Sequence, residues 1–291
     1  MEFRVLGPLS ICDGECHKTP TAPKQRQLLS LLALNANHVV SVTQILEEIW
    51  EYRPPSSAVA AVHTYVMQLR RALDGARRGP GRKPGRLQTH EQGYQLKLGS
   101  GELDLDRYEQ QVRAARATLE AGEYAEAVEQ LRAAEMMWTG PMLVDVPTGP
   151  WLRAAIEVVE RDRLDVVHQR LRAELHLGRH HEVLGELTSL VHRYGTHEGL
   201  VEHLMLALYR SGRQADALMA YHRLRARLRE ELDTRPSERL QHLHAHILSG
   251  HPRLEPPSSS SVRGRLSLDL LAERPAASSR GSVRSGGLVR I

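Results

Sequence analysis

The chain has 291 residues, of which 41% are hydrophobic and 25% charged, with two cysteines and a formal net charge of +4. About 100–200 residues per domain predicts two domains, and the apolar fraction excludes disorder throughout. No apolar run is long enough for a transmembrane helix, the first residues do not resemble a secretory signal, and two cysteines exclude a disulfide scaffold, so a reducing cytoplasm is expected.

The charge is distributed unevenly along the chain. Residues 1–98 carry 13 Lys/Arg against 8 Asp/Glu, residues 99–257 carry 20 against 25, and residues 258–291 carry 6 against 2. A basic first segment indicates a polyanionic partner, most often nucleic acid. Ordinary solvated surface charge explains that excess about equally well. The pattern of residues along the predicted helices therefore has to distinguish a nucleic-acid partner from ordinary surface charge.

The first residues predict short strands followed by two helices. Apolar residues alternate over residues 2–20, which is typical of strands. A leucine-rich helix is predicted from about Pro23 to Asn35, because proline is favoured at a helix start. Ser41 and Gln44 have the spacing of a capping box and open a short second helix.

A long third helix is predicted from about Ser57 to Asp74, followed by a hairpin. Apolar residues recur in the helix at steps of three and four, which places them on one face. They are Val59, Val62, Val66, Leu69 and Leu73. Residues 87–89 and 94–98 predict a hairpin whose turn is residues 91–93. Three helices followed by a hairpin is the order of a winged helix-turn-helix.

The polar face of the third helix has side chains suited to duplex DNA. His63, Thr64 and Gln68 can read base edges, and glutamine can bond adenine N6 and N7 together. Arginines one turn later are placed for phosphates, and the hairpin would lie along the backbone. The predicted DNA-binding residues are Ala60, His63, Thr64, Met67, Gln68, Arg70 and Arg71 in the helix and Arg86, Thr89 and Gln92 in the hairpin. A generic amphipathic helix with a solvated polar face is the alternative, which the ordered context disfavours.

Residues 104–249 predict an all-helical region with degenerate repeats. Three similar segments begin at Gly122, Gly178 and Gly212, and the last two glycines lie 34 residues apart, the tetratricopeptide period. Short glycine turns place neighbouring helices antiparallel, so stacked pairs bury a continuous core.

The predicted domains are 1–98, 103–250 and 251–291. The first is expected to be a self-contained winged helix with its own leucine core. The last is rich in serine and arginine, which is typical of disorder. Its leucines could form a short partner-binding turn, although a tail without such a role is favoured. The arginine-rich loop 75–86 fits extra phosphate contact and simple solvated flexibility equally well.

The sequence predicts no enzyme activity, no cofactor and no metal site. Cys12 and Cys16 lack a second ligand pair, and His242 and His246 lack a third ligand, so neither pair makes a convincing zinc site. No nucleophile–base set or carboxylate pair occurs in a motif context.

With these motifs assembled, the sequence resembles the Streptomyces antibiotic regulatory protein family of transcriptional activators. The resemblance covers about residues 2–250. It rests on residues 3–9, 24–33, 46–50, 62–73, 93–94, 104–108, 137–140 and 174–180, and most specifically on 205–218. It implies a mainly α protein with a small β component: an N-terminal winged helix-turn-helix and an all-α, tetratricopeptide-like bacterial transcriptional activator domain. The family usually has arginine where Gln68 stands and Pro-Pro where Glu91 and Gln92 stand.

The resemblance also implies partners and a mechanism. Protomers would bind promoter DNA as a dimer on direct repeats about one helical turn apart, near the −35 element. They would recruit RNA polymerase through its sigma factor and alpha subunit, to activate a secondary-metabolite gene cluster in the cytoplasm at the nucleoid. The loop between the second and third helices is the candidate polymerase contact, predicted on the DNA-distal side, through Glu51, Tyr52, Arg53 and Ser56. The alternative function is a tetratricopeptide module that binds protein or a small ligand and uses its winged helix for protein contacts.

Overall fold

A computed structural model describes residues 1–14, 16–51, 53–74 and 85–255. The chain divides into two compact units, Met1–Glu174 and Leu175–Ile291. Tyr52, most of the arginine-rich loop and residues 256–291 of the predicted tail lie outside the described residues. Among those described, no helix is both long and apolar enough to cross a bilayer.

The first residues form a small antiparallel sheet, as predicted. Its strands, in the spatial order β1-β2-β3, are β1 (Glu2–Arg4), β2 (Ser10–Asp13) and β3 (Cys16–His17). Phe3, Val5 and Ile11 are fully buried. The apolar alternation read from the sequence therefore marks the side of this sheet that faces the core.

Three helices and a short strand follow. They are α1 (Pro23–Leu34), β4 (Val40–Ser41), α2 (Val42–Trp50) and α3 (Ala58–Asp74). The capping box is confirmed: Gln44 N donates to Ser41 Oγ, and Ser41 N donates to Gln44 Oε1, both at 3.1 Å. These two bonds satisfy backbone donors that the start of α2 would otherwise leave unpaired.

The hairpin is also confirmed, with a shorter turn than predicted. Its strands are β5 (Leu87–His90) and β6 (Gly93–Leu96), in a sheet of order β4-β6-β5. Gly93 belongs to the strand and not to the turn. A Cβ there would lie 2.0 Å from the Val40 carbonyl oxygen, so the close approach of β4 requires glycine.

The rest of the described chain is predominantly helical. Its helices are α4 (Asp104–Glu120), α5 (Tyr124–Glu135), α6 (Pro150–His176), α7 (His180–Arg193), α8 (Glu198–Arg210), α9 (Gln214–Leu232) and α10 (Glu238–Ser249). The three predicted repeat glycines, Gly122, Gly178 and Gly212, have φ of +82°, +77° and +76°. Each ends a helix in the left-handed conformation that glycine adopts without steric cost, which explains why the segments resemble one another.

The prediction of helix throughout this region is wrong for residues 136–149, which form turns, bends and irregular backbone. Thr139 N donates to the Leu6 carbonyl at 2.8 Å, and Leu143 N donates to that of Gly7 at 2.7 Å. The segment is not helical because its backbone donors bond the β1–β2 connection of the first sheet.

The winged helix does not have a separate core, contrary to expectation. One continuous cluster of buried residues runs from Phe3 through the leucines of α1 and on to Val166 in α6. Apolar surface of the first three helices is therefore removed from water by residues 103–166 as well as by the winged helix itself. The covering layer is supplied by segments that the sequence assigned to another domain.

Two buried carboxylates also join the winged helix to residues 103–166 within Met1–Glu174. Asp104 accepts from Val5 N at 2.9 Å and from Leu6 N at 3.1 Å, and burial raises the pKa of its carboxyl while these donors oppose that rise. Glu48 of α2 is 1% exposed and accepts from backbone N–H groups at the start of α6. A buried carboxylate is stable only when such donors replace its lost water.

The first residues assigned to the tail are packed, and not disordered as expected. Pro252–Leu254 forms a 3-10 helix, and Leu254 is fully buried. Arg210 donates from Nε to the Leu254 carbonyl at 2.8 Å and from Nη1 to that of Leu175 at 2.7 Å. Burial lowers the pKa of Arg210 to about 10. A half-buried guanidinium needs such acceptors, which explains why the chain past Ser249 returns to the helices.

Leu254→Ala is therefore expected to destabilise Leu175–Ile291 by about 2–3 kcal/mol, the low end for a buried leucine, because a 3-10 helix of only three residues can shift to close part of the cavity. Hydrogen exchange of amides in α8 to α10 measures the loss. Leu248→Ala is the control, because Leu248 is 58% exposed. Equal exchange rates in the two variants would show that Leu254 does not stabilise this unit.

Candidate nucleic-acid interface

Helix α3 presents one buried and one exposed face. The buried residues are Ala58, Val62, Val66, Leu69 and Leu73. The exposed residues opposite them are Val59, Ala60, His63, Thr64, Met67, Gln68 and Arg71, which are called the α3 face below. Val59 was predicted to be buried and is 45% exposed, because Ala58, at 2% exposed, faces the core at the start of α3 and Val59 lies about 100° further around the helix.

Side chains of the α3 face differ in the hydrogen-bonding groups they offer. Thr64 Oγ1 donates to the Ala60 carbonyl at 3.0 Å, so its hydroxyl hydrogen is used within the helix and the oxygen can still act as an acceptor. Met67 is 46% exposed and accepts at its sulfur from Arg71 Nη2 at 3.9 Å. Small, polar, apolar and cationic groups therefore follow one another along about three helical turns.

Gln68 has a partner that the sequence did not indicate. Gln25, in the first turn of α1, donates from Nε2 to Gln68 Oε1 at 2.6 Å. The start of α1 therefore lies beside the α3 face. No sequence signal connects two glutamines 43 positions apart, since neither periodicity nor capping chemistry links their helices.

Lys24 belongs to the same corner of the structure and was also missed. Its Nζ lies 4.5 Å from the centroid of the Trp50 ring, a cation–π arrangement. The Trp50 ring stacks on that of Tyr65 in α3, with centroids 6.5 Å apart. These contacts hold the start of α1 and the end of α2 against the middle of α3.

Arg70 and Arg71 are neighbours in sequence but have different surroundings. Arg71 is exposed, as a phosphate contact requires. Arg70 is half-buried and donates from Nε to the Leu87 carbonyl at 2.9 Å and from Nη2 to Thr89 Oγ1 at 2.6 Å. Two predicted DNA-binding side chains, Arg70 and Thr89, therefore bond each other and tie the hairpin to α3.

Arg86 is also engaged within the protein. It donates from Nη1 and Nη2 to the two carboxylate oxygens of Glu102, at 2.6 and 2.8 Å. This bond lowers the pKa of Glu102 to about 2 and raises the pKa of Arg86, because each charge stabilises the other. The charge of Arg86 is therefore partly neutralised by Glu102.

Gln92, the other predicted hairpin residue, is exposed at the hairpin turn. Its backbone carbonyl accepts from Val42 N at 3.0 Å.

The described part of the loop between α2 and α3 is exposed. Glu51, Arg53 and Ser56 are all on the surface. Glu51 ends α2 with φ of +53° and accepts from Arg153 Nη2 at 2.8 Å. The first turn of α6, which contains Arg153, therefore lies beside the loop on the protein surface.

No cluster of three or more His, Cys, Asp or Glu residues with metal-binding geometry occurs among the described positions. The Cys12 sulfur lies 3.6 Å from His17 Nδ1, within one strand pair. The α3 face is therefore the candidate binding surface among the described residues.

Comparisons with known proteins match both parts of the chain. A model described as "Transcriptional regulatory protein, C terminal" matches residues 17–96, and one described as "Bacterial transcriptional activator domain" matches residues 103–248. The regulatory protein DnrI of Streptomyces peucetius is 38% identical over 271 residues, which cover 90% of this chain and 99% of DnrI. The regulatory protein AfsR of Streptomyces coelicolor is 37% identical, and the match covers 95% of this chain but only 27% of AfsR.

A solved structure is similar as well. Mycobacterium tuberculosis EmbR, in complex with a low-affinity phosphopeptide, matches with a TM-score of 0.80 and 30% sequence identity. The match covers 93% of this chain and 69% of that chain. The predicted fold class is confirmed: a mainly helical protein with an N-terminal winged helix followed by an all-α domain.

Proposed function

The chain belongs to the Streptomyces antibiotic regulatory protein family of DNA-binding transcriptional activators, and from that premise we propose that it recognises a specific promoter sequence by inserting α3 into the major groove. The exposed α3 face carries this proposal. A helix whose one side belongs to the core and whose other side offers base-reading groups is the element that winged helix-turn-helix proteins place in the groove.

In this proposal the predicted residues have distinct roles. His63, Thr64 and Gln68 read base edges, and Met67 contacts a thymine methyl group. Ala60 is small enough for the backbone to approach the duplex. Arg71 contacts phosphate, and Gln92 reaches the backbone from the hairpin turn.

Arg70 and Thr89 act differently in this proposal: they position the hairpin through their mutual hydrogen bond, and only their remaining polar groups face DNA. Arg86 contributes to the surface potential but is held by Glu102.

We further propose that two protomers bind direct repeats near the −35 element as a dimer, in the cytoplasm at the nucleoid, and activate a secondary-metabolite gene cluster. Polymerase is recruited through its sigma factor and alpha subunit. The exposed loop residues Glu51, Arg53 and Ser56 support a protein contact there. A net charge of −5 over residues 99–257 disfavours DNA contact by that region and leaves its surface for protein partners.

Two substitutions on α3 test the DNA-binding role. Gln68→Ala should relax the preference at one operator position, at a cost of about 1–3 kcal/mol against the best base there. Arg71→Ala should weaken binding to all sequences alike and reduce the salt slope by about one charge. Both variants should stay folded because neither side chain is buried. Affinity is measured on cognate and single-base-mutant operators across a salt series.

Reversed results, with Gln68→Ala weakening all sequences equally and Arg71→Ala altering base preference, would place α3 in the groove in a different register. A chain that binds no promoter duplex would instead favour the interaction-module alternative.

The polymerase contact is tested separately. Arg53→Glu should lower activated transcription at least about fivefold in a purified system, since reversing a charge at a protein contact costs on the order of 1 kcal/mol or more, while operator affinity stays unchanged. Arg161→Glu on the exposed side of α6 is the matched control. Equal transcription by the two variants would remove this loop from the contact.

A further inference from the structure

We propose that Gln25 is a positioning residue that orients the Gln68 side-chain amide and thereby sets which base Gln68 prefers. The inference rests on the proposed function of the α3 face and adds a residue from outside α3. It predicts that the operator position read by Gln68 prefers guanine, whereas an unrestrained glutamine favours adenine.

The contact itself is direct and specific in direction. Gln25 Nε2 donates to Gln68 Oε1 at 2.6 Å. A carboxamide carries an acceptor on its oxygen and two donors on its nitrogen. With the oxygen turned toward α1, the Gln68 nitrogen points away from α1 along the exposed α3 face.

The electrostatics of the α1 start favour this direction. Gln25 lies in the first turn of a 12-residue helix, where the unpaired N–H groups create a partial positive charge. Lys24, the residue before Gln25, carries a further positive charge at this end of α1. A positive potential at the start of α1 favours the Gln68 oxygen over its amide hydrogens on the side that faces Gln25.

The orientation has a consequence for base reading. Guanine presents two acceptors in the major groove, N7 and O6, whereas adenine presents the N7 acceptor and the N6 donor. A glutamine free to use both ends of its amide matches adenine. A glutamine whose oxygen already accepts from Gln25 matches guanine better, because the groove meets mainly its N–H donors.

Gln25→Glu is the decisive substitution. A carboxylate only accepts, so Gln68 must turn its nitrogen toward residue 25 and its oxygen toward the groove. Preference at the Gln68 position should move from guanine to a base with an exocyclic amine, adenine or cytosine, by at least about fivefold in relative affinity. Gln25→Ala should release Gln68, so that the preference at this position moves from guanine to adenine.

The measurement is binding of the full-length chain to an operator series with each of the four bases at every position. Ratios between bases are compared, so a uniform loss caused by the added negative charge cancels. Gln25→Glu is repeated in a Gln68→Ala background, where it should leave every base ratio unchanged. Tryptophan fluorescence verifies folding, and Gln25→Ala carries the test if the glutamate variant does not fold.

The outcomes separate this inference from the function on which it rests. If Gln68→Ala changes no base ratio, the proposed reading role of the α3 face fails. If Gln68→Ala relaxes one position but Gln25→Glu and Gln25→Ala leave guanine preferred there, the positioning role of Gln25 is overturned. A wild-type preference for adenine at that position also overturns it.

Discussion

Glu48→Ala is expected to destabilise the Met1–Glu174 unit by about 3–5 kcal/mol, because it leaves several buried donors without an acceptor. The Glu48 carboxylate accepts from Gly149 N at 2.5 Å, Trp151 N at 2.9 Å and Leu152 N at 3.0 Å. These are backbone groups at the start of α6 that have no intrahelical partner. A residue of α2 thus caps a helix that begins about a hundred positions later. Gln27 Nε2 donates to the same carboxylate at 2.9 Å and would lose that bond, while its bond to the Glu48 carbonyl at 2.7 Å would remain.

The loss is measurable by urea unfolding followed through tryptophan fluorescence. The chain has three tryptophans, at positions 50, 138 and 151, so the signal reports the unit that contains Glu48. The neighbouring Glu47→Ala is the matched control: Glu47 is exposed and accepts from Trp151 Nε1 at 3.0 Å, an exposed contact worth at most about 1 kcal/mol. Similar unfolding midpoints for the two variants would refute the capping role.

Asp104→Ala should cost the same unit about 2–4 kcal/mol. The carboxylate satisfies the Val5 and Leu6 N–H groups, which are buried and which alanine would leave unpaired. Part of that cost is offset because alanine also removes a carboxyl whose burial opposes ionisation. The expected loss is therefore smaller than for Glu48→Ala.

Asp106→Ala is the control for Asp104, since both acidic residues lie in the first turn of α4 and share its dipole interaction. We expect Asp106→Ala to cost no more than about 1 kcal/mol. If both substitutions shift the unfolding midpoint equally, the effect of Asp104 comes from the helix dipole and not from its bonds to the first sheet.

Most of the secondary structure followed from local patterns. The capping box at Ser41, the proline at the start of α1 and the recurring glycines each act within a few residues, so their effect is readable from sequence alone. The apolar steps of α3 placed the exposed face correctly, with the exception of Val59. Residues 136–149 and 251–255 escaped prediction because their partners, the first sheet and Arg210, are distant in the chain.

The sequence by itself determined that α3 presents an exposed face opposite its core face, because a period of three to four residues separates the two faces. Only the tertiary structure decided what individual side chains do within that frame. Glu47 and Glu48 are identical residues in one helix, yet one is exposed and the other is buried at the start of α6. Arg70 and Arg71 differ likewise, and Gln25 becomes a neighbour of Gln68 only when α1 packs on α3. Periodicity reports the direction of a side chain from its own helix, whereas the partner it meets depends on how distant segments pack.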